Sequence, residues 1–204
     1  MAVKMGRTWL ERQHRDAFTK EARARGYRSR AVFKLEQIDR KSHLFRPGMT
    51  VVDLGAAPGG WSQYAASRVG SGGRVIALDL LEIAPLNRVA VIRGDFTDNV
   101  VHDQLLTALG GASAQVVLSD MAPNLSGVRS VDQPRSLYLA ELALELAGEV
   151  LAADGMFLVK LFQGDGFDRY VAQCRSRFVK VSVHKPEASR AASREVYLLA
   201  EATR

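Results

Sequence analysis

The sequence predicts an α/β domain, a Rossmann-like and mostly parallel sheet of seven strands with helices on both faces, preceded by a basic helical extension. Three observations predict it. Short apolar runs alternate with segments of helical periodicity from Met49 onward. A glycine-rich turn, Gly55-Ala56-Ala57-Pro58-Gly59-Gly60, joins the first run to a helix. Acidic residues recur just after the carboxyl ends of successive runs, where ligands of such sheets bind.

Taken in order, residues 8–25 could form a basic surface helix, since their apolar content is low. Residues 29–43 read as a better helix, with Ser29 as a cap and Val32, Leu35 and Ile38 near helical spacing. Pro47-Gly48 breaks the chain. Met49–Leu54 is the first buried strand, and Trp61–Val69 the helix after it, stopped by Gly70-Ser71-Gly72-Gly73. Arg74–Leu78 and Val89–Ile92 follow as strands, Val100–Leu109 as a helix, and Gln115–Ser119 as the fourth strand. An apolar helix is expected over Leu137–Ala152, ended near Asp154-Gly155, and then a strand over Met156–Leu161. A helix over Phe167–Arg177 leads to strands Val179–His184 and Val196–Ala200, separated by the polar loop Pro186–Arg194.

Composition narrows the function classes. A chain of 204 residues that is 47% hydrophobic and 25% charged suits a soluble globular protein. No apolar run approaches the ~18 residues of a membrane span, and no secretory leader is seen at the N-terminus. The single cysteine, Cys174, excludes an internal disulfide and reads as a core residue, so a cytoplasmic location is expected. Histidines 14, 43, 102 and 184 lack ligand spacing, and no metal is expected. Residues 1–46 hold 13 Lys/Arg against 5 Asp/Glu, whereas the remainder holds 15 against 17. Positive charge gathered at one end points to a polyanion, nucleic acid foremost.

The glycine-rich turn lacks the spacing of a dinucleotide loop and has no Gly-Lys-Ser/Thr of a phosphate loop. Pro58 also removes an N–H that a phosphate cradle would use. Asp79, after the second strand, is placed to accept from a ribose diol. Asp95, after the third, could accept from an adenine amino group. Each acid alone could merely cap a helix, but Asp53, Asp79, Asp95 and Asp120 stand at four successive strand ends. Together they suit a ligand with a ribose, an amine-bearing base and a cationic centre, which S-adenosylmethionine matches.

The segments D-L-G-A-A-P-G-G-W-S-Q, S-D-M-A-P-N, V-K-L-F-Q-G and S-R-E-V-Y, in this order, resemble the FtsJ/RrmJ-type (RlmE) ribosomal RNA 2′-O-ribose methyltransferases from about Tyr27 to Ala200. The resemblance implies a SAM-dependent methyltransferase domain over 47–204. It implies cofactor contacts at Gly59, Trp61, Asp79, Asp95 and Asp120. It also implies a catalytic tetrad of Lys34, Asp120, Lys160 and Glu195, with Lys160 as proton acceptor for a 2′-hydroxyl. Taken alone, Lys34 reads as a solvated basic residue and Glu195 as an edge charge, whereas Lys160 stands out within the apolar run Gly155–Phe162, where a charge is costly unless paired, with an exposed strand-end lysine as the alternative. A lysine can accept that proton if its pKa is lowered, which a second lysine favours and a carboxylate opposes while aiming the amine. The expected reaction is methylation of a uridine in large-subunit (23S) ribosomal RNA, in the A-loop of the assembled 50S subunit. The expected partners are ribosomal RNA and the large ribosomal subunit, with no membrane, and the protein acting as a monomer.

Residues 1–46 would then be a separate RNA-contacting extension that contributes Lys34. Arg7, Arg12, Arg15, Lys20, Arg23, Arg25, Arg28 and Arg30 precede Lys34, and Arg175, Arg177, Lys180, Lys185, Arg190 and Arg194 precede Glu195. Both sets could guide a phosphate backbone. Trp9, Phe18 and Tyr27 could stack on bases or pack in the core. Tyr197 reads as core. Competing readings are a transfer-RNA or cap ribose methyltransferase, and a non-catalytic ribosome-assembly or RNA-binding factor.

Overall fold

The computed structural model describes residues 17–124, 126–190 and 193–204. Expectations that rest on residues 1–16, including Arg7, Trp9, Arg12 and Arg15, lie outside the described residues. The described chain begins with α1 (Ala17–Ala24) and α2 (Val32–Ser42). The alternating part follows as β1 (Thr50–Leu54), α3 (Gly60–Val69), β2 (Arg74–Asp79), β3 (Val89–Arg93), α4 (Asn99–Leu109) and β4 (Ala114–Ser119). It continues as α5 (Arg129–Val150), β5 (Leu151–Phe162), α6 (Phe167–Arg177), β6 (Phe178–His184) and β7 (Glu195–Thr203).

All seven strands form one sheet in the order β3-β2-β1-β4-β5-β7-β6. Strands β1 to β5 pair in parallel, and β7 runs antiparallel between β5 and β6. One face carries a core of Leu54, Ile76, Val117, Phe157 and Leu198 against α4, α5 and α6. The other carries Val51, Val116, Leu158 and Leu199 against α1, α2 and α3. The central parallel strands β1, β2 and β4 are buried on both faces, which is why they read as continuous apolar runs rather than alternating ones, whereas β3 at the edge is largely exposed. Cys174 belongs to the first core, where burial pushes its thiol up to about 12. Among the described residues no helix is long and apolar enough to cross a membrane.

Several boundaries depart from the sequence reading. Helix α5 begins at Arg129, eight residues before the expected Leu137, and carries Pro134 inside it. Pro134 lies in the second turn, where its missing N–H removes one intrahelical bond without ending the helix. The same helix stops at Val150, because Leu151 turns extended (φ −78°, ψ 139°) and pairs with Ala114 of β4. Strand β5 therefore starts at Leu151 instead of Met156, with a register shift between Ala114 and Val116. Residues 29–31 form a turn, in which the Ala31 N–H donates to Ser29 Oγ, so α2 starts at Val32.

Helices α1 and α2 are not peripheral to the fold. Val32, Phe33, Leu35 and Ile38 are buried in the same core as Trp61 and Leu158. Phe18 and Tyr27 pack against Phe33 with ring centroids 5.5 and 6.2 Å away, so both serve packing.

Candidate active site

The site lies at the carboxyl ends of β1, β2, β4 and β5. Topology alone delivers Asp53, Asp79 and Asp120 there, because three parallel neighbours end in an acid. Strand β7 runs the opposite way, so its first residues, Glu195 and Tyr197, arrive at this same end opposite Phe162 and Lys160 of β5. Residues directly opposite in a ladder share a face. Lys160 and Tyr197 therefore project together toward α2, which carries Lys34.

The four residues of the expected tetrad meet. Lys160 Nζ donates to the Asp120 backbone carbonyl at 2.5 Å and lies 3.1 Å from Asp120 Oδ1. Lys34 Nζ lies 2.7 Å from Glu195 Oε1. Tyr197 joins the two pairs: its hydroxyl donates to Asp120 Oδ1 at 2.7 Å and accepts from Lys34 Nζ at 3.2 Å. Ser189 Oγ donates to Glu195 Oε1 at 2.8 Å. Lys160 is only 8% exposed, so its charge must be paired there. Burial pushes the Asp120 carboxyl up, but Lys160, Lys34 and the Tyr197 hydroxyl outweigh it and hold the group below its ordinary value. Burial, with Asp120 and Glu195 beside it, pushes the Tyr197 phenol far up, so the hydroxyl stays a donor.

Sequence reasoning placed Tyr197 in the core. It is core, with its ring 5.6 Å from that of Trp61, but its hydroxyl is the link inside the tetrad. The available signal was its spacing of two from Glu195 in a strand, which puts both on one face.

The glycine-rich turn sits beside these residues. Gly59 (φ 103°) caps α3, and a Cβ there would press to 2.8 Å from Leu86 Cδ1, so only glycine fits the turn against the β2–β3 loop. Arg28 clips the two together: its guanidinium donates to the carbonyls of Pro58, Ala84 and Pro85 at 3.2, 2.6 and 2.8 Å. No local pattern in the sequence announces this use of Arg28. The first N–H groups of α3 lack intrahelical acceptors and face the turn. Trp61 is 3% exposed and its indole N–H donates to the Ala31 carbonyl at 2.8 Å. Its ring is thus committed to packing, which leaves its backbone N–H for a ligand.

The acids differ in what they already hold. Asp79 accepts from the Ala57 and Leu81 N–H groups, at 2.8 Å each, through different oxygens. Each oxygen keeps a second lone pair, and the carboxylate is fixed in direction. Asp95 Oδ1 accepts from the Thr97 N–H and hydroxyl at 2.9 and 2.7 Å, so Oδ2 is the oxygen free of these bonds. Asp53 is fully buried; Oδ2 accepts from Ser62 Oγ at 2.6 Å, while Oδ1 has no partner among the described residues. Burial, with Asp120 and Asp79 adding repulsion, pushes Asp53 up to about 7. A cluster of carboxylates with one orphaned oxygen is complementary to a cation.

The basic residues divide. Arg25 is bound to Glu36 at 2.9 and 3.0 Å, and Arg30 donates to the Ala188 carbonyl at 2.6 Å; with Arg28, they fasten the fold. Lys180 pairs with Glu201 at 2.7 Å. It sits opposite Glu201, four residues along β7 from Tyr197, or roughly 13 Å from the tetrad. Arg175 and Arg177, which precede β6, lie at that same far end. Lys185, Arg190 and Arg194 belong to the site end; Lys185 Nζ donates to the Ser193 and Glu195 carbonyls at 2.6 and 2.5 Å, and so holds the loop that carries Glu195.

The model of the FtsJ-like methyltransferase family matches residues 27–203. Among solved structures, a protein of Plasmodium falciparum, provisionally named a ribosomal RNA methyltransferase, superposes with a TM-score of 0.78 at 25% identity. That match covers 87% of this chain and 98% of the other. A provisionally named rRNA-methylase from Clostridium thermocellum shares the fold at a TM-score of 0.57 and 21% identity, covering 83% of this chain and 96% of its own. Human methyltransferase-like protein 13, solved in complex with SAH, shares it at a TM-score of 0.57 and 15% identity, covering 84% and 79% respectively.

Proposed function

The chain belongs to the FtsJ-like methyltransferase family, and from this premise we propose that it transfers a methyl group from S-adenosylmethionine to the ribose 2′-hydroxyl of a uridine in 23S ribosomal RNA, in the A-loop of the assembled large subunit. The observation that carries the reading is the Lys34–Glu195 and Lys160–Asp120 pairs joined through Tyr197, beside a glycine turn and three carboxylates.

The donor set fits the cofactor. Asp79 would take the ribose diol and Asp95 Oδ2 the adenine amino group, with Gly59 and the Trp61 N–H lining the turn. The orphaned Asp53 oxygen, with Asp79 and Asp120 around it, favours a cationic ligand. When bound, S-adenosylmethionine supplies an electrophilic methyl group on a sulfonium.

A 2′-hydroxyl is a poor nucleophile at neutral pH, so the protein must align the oxygen and receive its proton. Lys160 Nζ would accept that proton as the oxygen takes the methyl group, whose bond to the sulfonium sulfur breaks with the electron pair left on sulfur. Two contacts to Asp120 fix the direction of the amine. Asp120 also stands next to the reacting centre. Lys34 and Glu195 hold the ribose and adjacent phosphate in register. Basic residues 185–194 and residues 1–46 draw the RNA toward this end of the sheet.

The reading is tested with Lys160→Ala. Methyl transfer to ribosomal RNA should fall by about 10²–10⁴-fold while S-adenosylmethionine binding, followed by calorimetry, persists. Transfer near the unmutated rate would overturn the assignment.

A further inference from the structure

A second cleft adjoins the tetrad and has no part in the chemistry described above. It encloses about 240 Å³ and is lined by Arg129 and Asp132 at the start of α5, Gln133, Phe162 at the end of β5, and Arg194. Phe162 pairs with Glu195 in the β5–β7 ladder and stands two residues beyond Lys160, or roughly 7 Å along the strand.

Its lining has the chemistry of a nucleotide site. Arg129 makes no hydrogen bond or ion pair among the described residues, and it stands at the N-terminus of a 22-residue helix, where anions are favoured. Arg194 spends Nη1 on the Gln163 carbonyl at 2.8 Å and keeps its remaining N–H groups. Among the described residues Asp132 is the one carboxylate in the lining; its oxygens are held by the Ser126 and Gly127 N–H groups at 2.8 and 2.9 Å, and its charge is outnumbered by Arg129 and Arg194.

Gln133 is the independent sign of a ligand. It is 6% exposed, and its Nε2 donates to the carbonyls of Phe162 and Asp165 at 3.0 and 3.2 Å. Its Oε1 has no donor among the described residues. A buried orphan acceptor costs about 1–3 kcal/mol, a cost that a donor supplied by a ligand would remove. Gly164 (φ 150°) packs closely against it: Gln133 Oε1 and Arg194 Nη1 both lie 3.1 Å from the point a Cβ would occupy, so a side chain there would crowd both groups.

We infer that this cleft is a second nucleotide subsite, which holds the RNA nucleotide adjacent to the methylated one. Its phosphate is gripped by Arg129 and Arg194, its base rests on Phe162, and a hydroxyl or amino group donates to Gln133. The inference rests on the RNA reading of the active site.

The test is binding of a fluorescein-labelled single-stranded RNA octamer, followed by anisotropy across a KCl series with the full chain and no cofactor. Arg129→Ala should weaken binding roughly fivefold to tenfold and flatten the salt dependence by about 0.7 in log–log slope, one phosphate contact on a single strand. Arg129→Glu should weaken it further. Lys180→Ala, at the far end of β6, should change neither quantity by more than the experimental scatter. A slope unchanged in both Arg129 variants, or equal losses in Arg129→Ala and Lys180→Ala, overturns the subsite even if the unmutated protein methylates ribosomal RNA. Conversely, an Arg129-dependent slope in a protein that transfers no methyl group retains the subsite and removes the reaction assigned to its neighbour.

Discussion

Replacing Asp53 by Asn should stabilise the unliganded protein, and increasingly so as pH rises through neutrality. Asp53 is buried at the end of β1, with one oxygen on Ser62 and the other without a partner. Burial, reinforced by Asp120 and Asp79, moves its pKa from 3.8 to about 7. The folded protein thus keeps a proton that the unfolded chain releases, and the stability tied to that proton is present below about pH 4 and lost as pH rises through 7. Linkage between those two pKa values gives a loss of about 2.5 kcal/mol between pH 5 and pH 8. Asn keeps the acceptor for Ser62 and cannot ionise, so it escapes the loss. Urea denaturation of both proteins at pH 5 and pH 8 measures the difference. The advantage of Asp53→Asn should grow by about 2–3 kcal/mol across that interval. A difference that is the same at both pH values would refute the reasoning. Because the same carboxylate is the proposed complement to a cationic cofactor, the variant should also bind S-adenosylmethionine more weakly.

Two other perturbations separate the chemistry from its supports. Tyr197→Phe keeps the ring against Trp61 and removes only the hydroxyl between Asp120 and Lys34. It should cost about 1–3 kcal/mol of stability in denaturation and lower kcat more than it raises KM for the cofactor. Arg28→Ala frees three loop carbonyls behind the glycine turn. It should weaken S-adenosylmethionine binding by roughly tenfold, about one hydrogen bond's worth, with kcat at saturating cofactor nearly unchanged in a radiolabel transfer assay.

The centre of the sheet was legible because β1, β2 and β4 are apolar through their middles and carry an acid at or beside their carboxyl ends. The four clustered residues were legible chiefly through their motifs, since Lys34 and Glu195 look ordinary alone and only Lys160 stands out, as a charge in an apolar run. What stayed hidden depended on tertiary neighbours. Helix α5 begins at Arg129, eight residues before Leu137, a start that was hidden because residues 129–136 carry little apolar periodicity. Leu151 continued an apolar helical pattern, yet pairing with Ala114 extends it into β5. Arg25, Arg28 and Arg30 were read as a basic surface; their partners Glu36, Pro58 and Ala188 are eleven or more residues away. Charge along the sequence also could not show that Arg175, Arg177 and Lys180 sit at the opposite end of the sheet, which follows only from the antiparallel register of β6 on β7.

The central claim is the identity of the acceptor oxygen, and one measurement addresses it directly. Large ribosomal subunits prepared without this activity are incubated with the protein and methyl-labelled S-adenosylmethionine, and the 23S RNA is then hydrolysed in alkali. A methyl group on a 2′-oxygen blocks cleavage at the following phosphodiester. The label should therefore appear in one alkali-resistant dinucleotide that begins with an A-loop uridine. Label released on an alkali-sensitive mononucleotide, which places the methyl group on a base, would contradict the account.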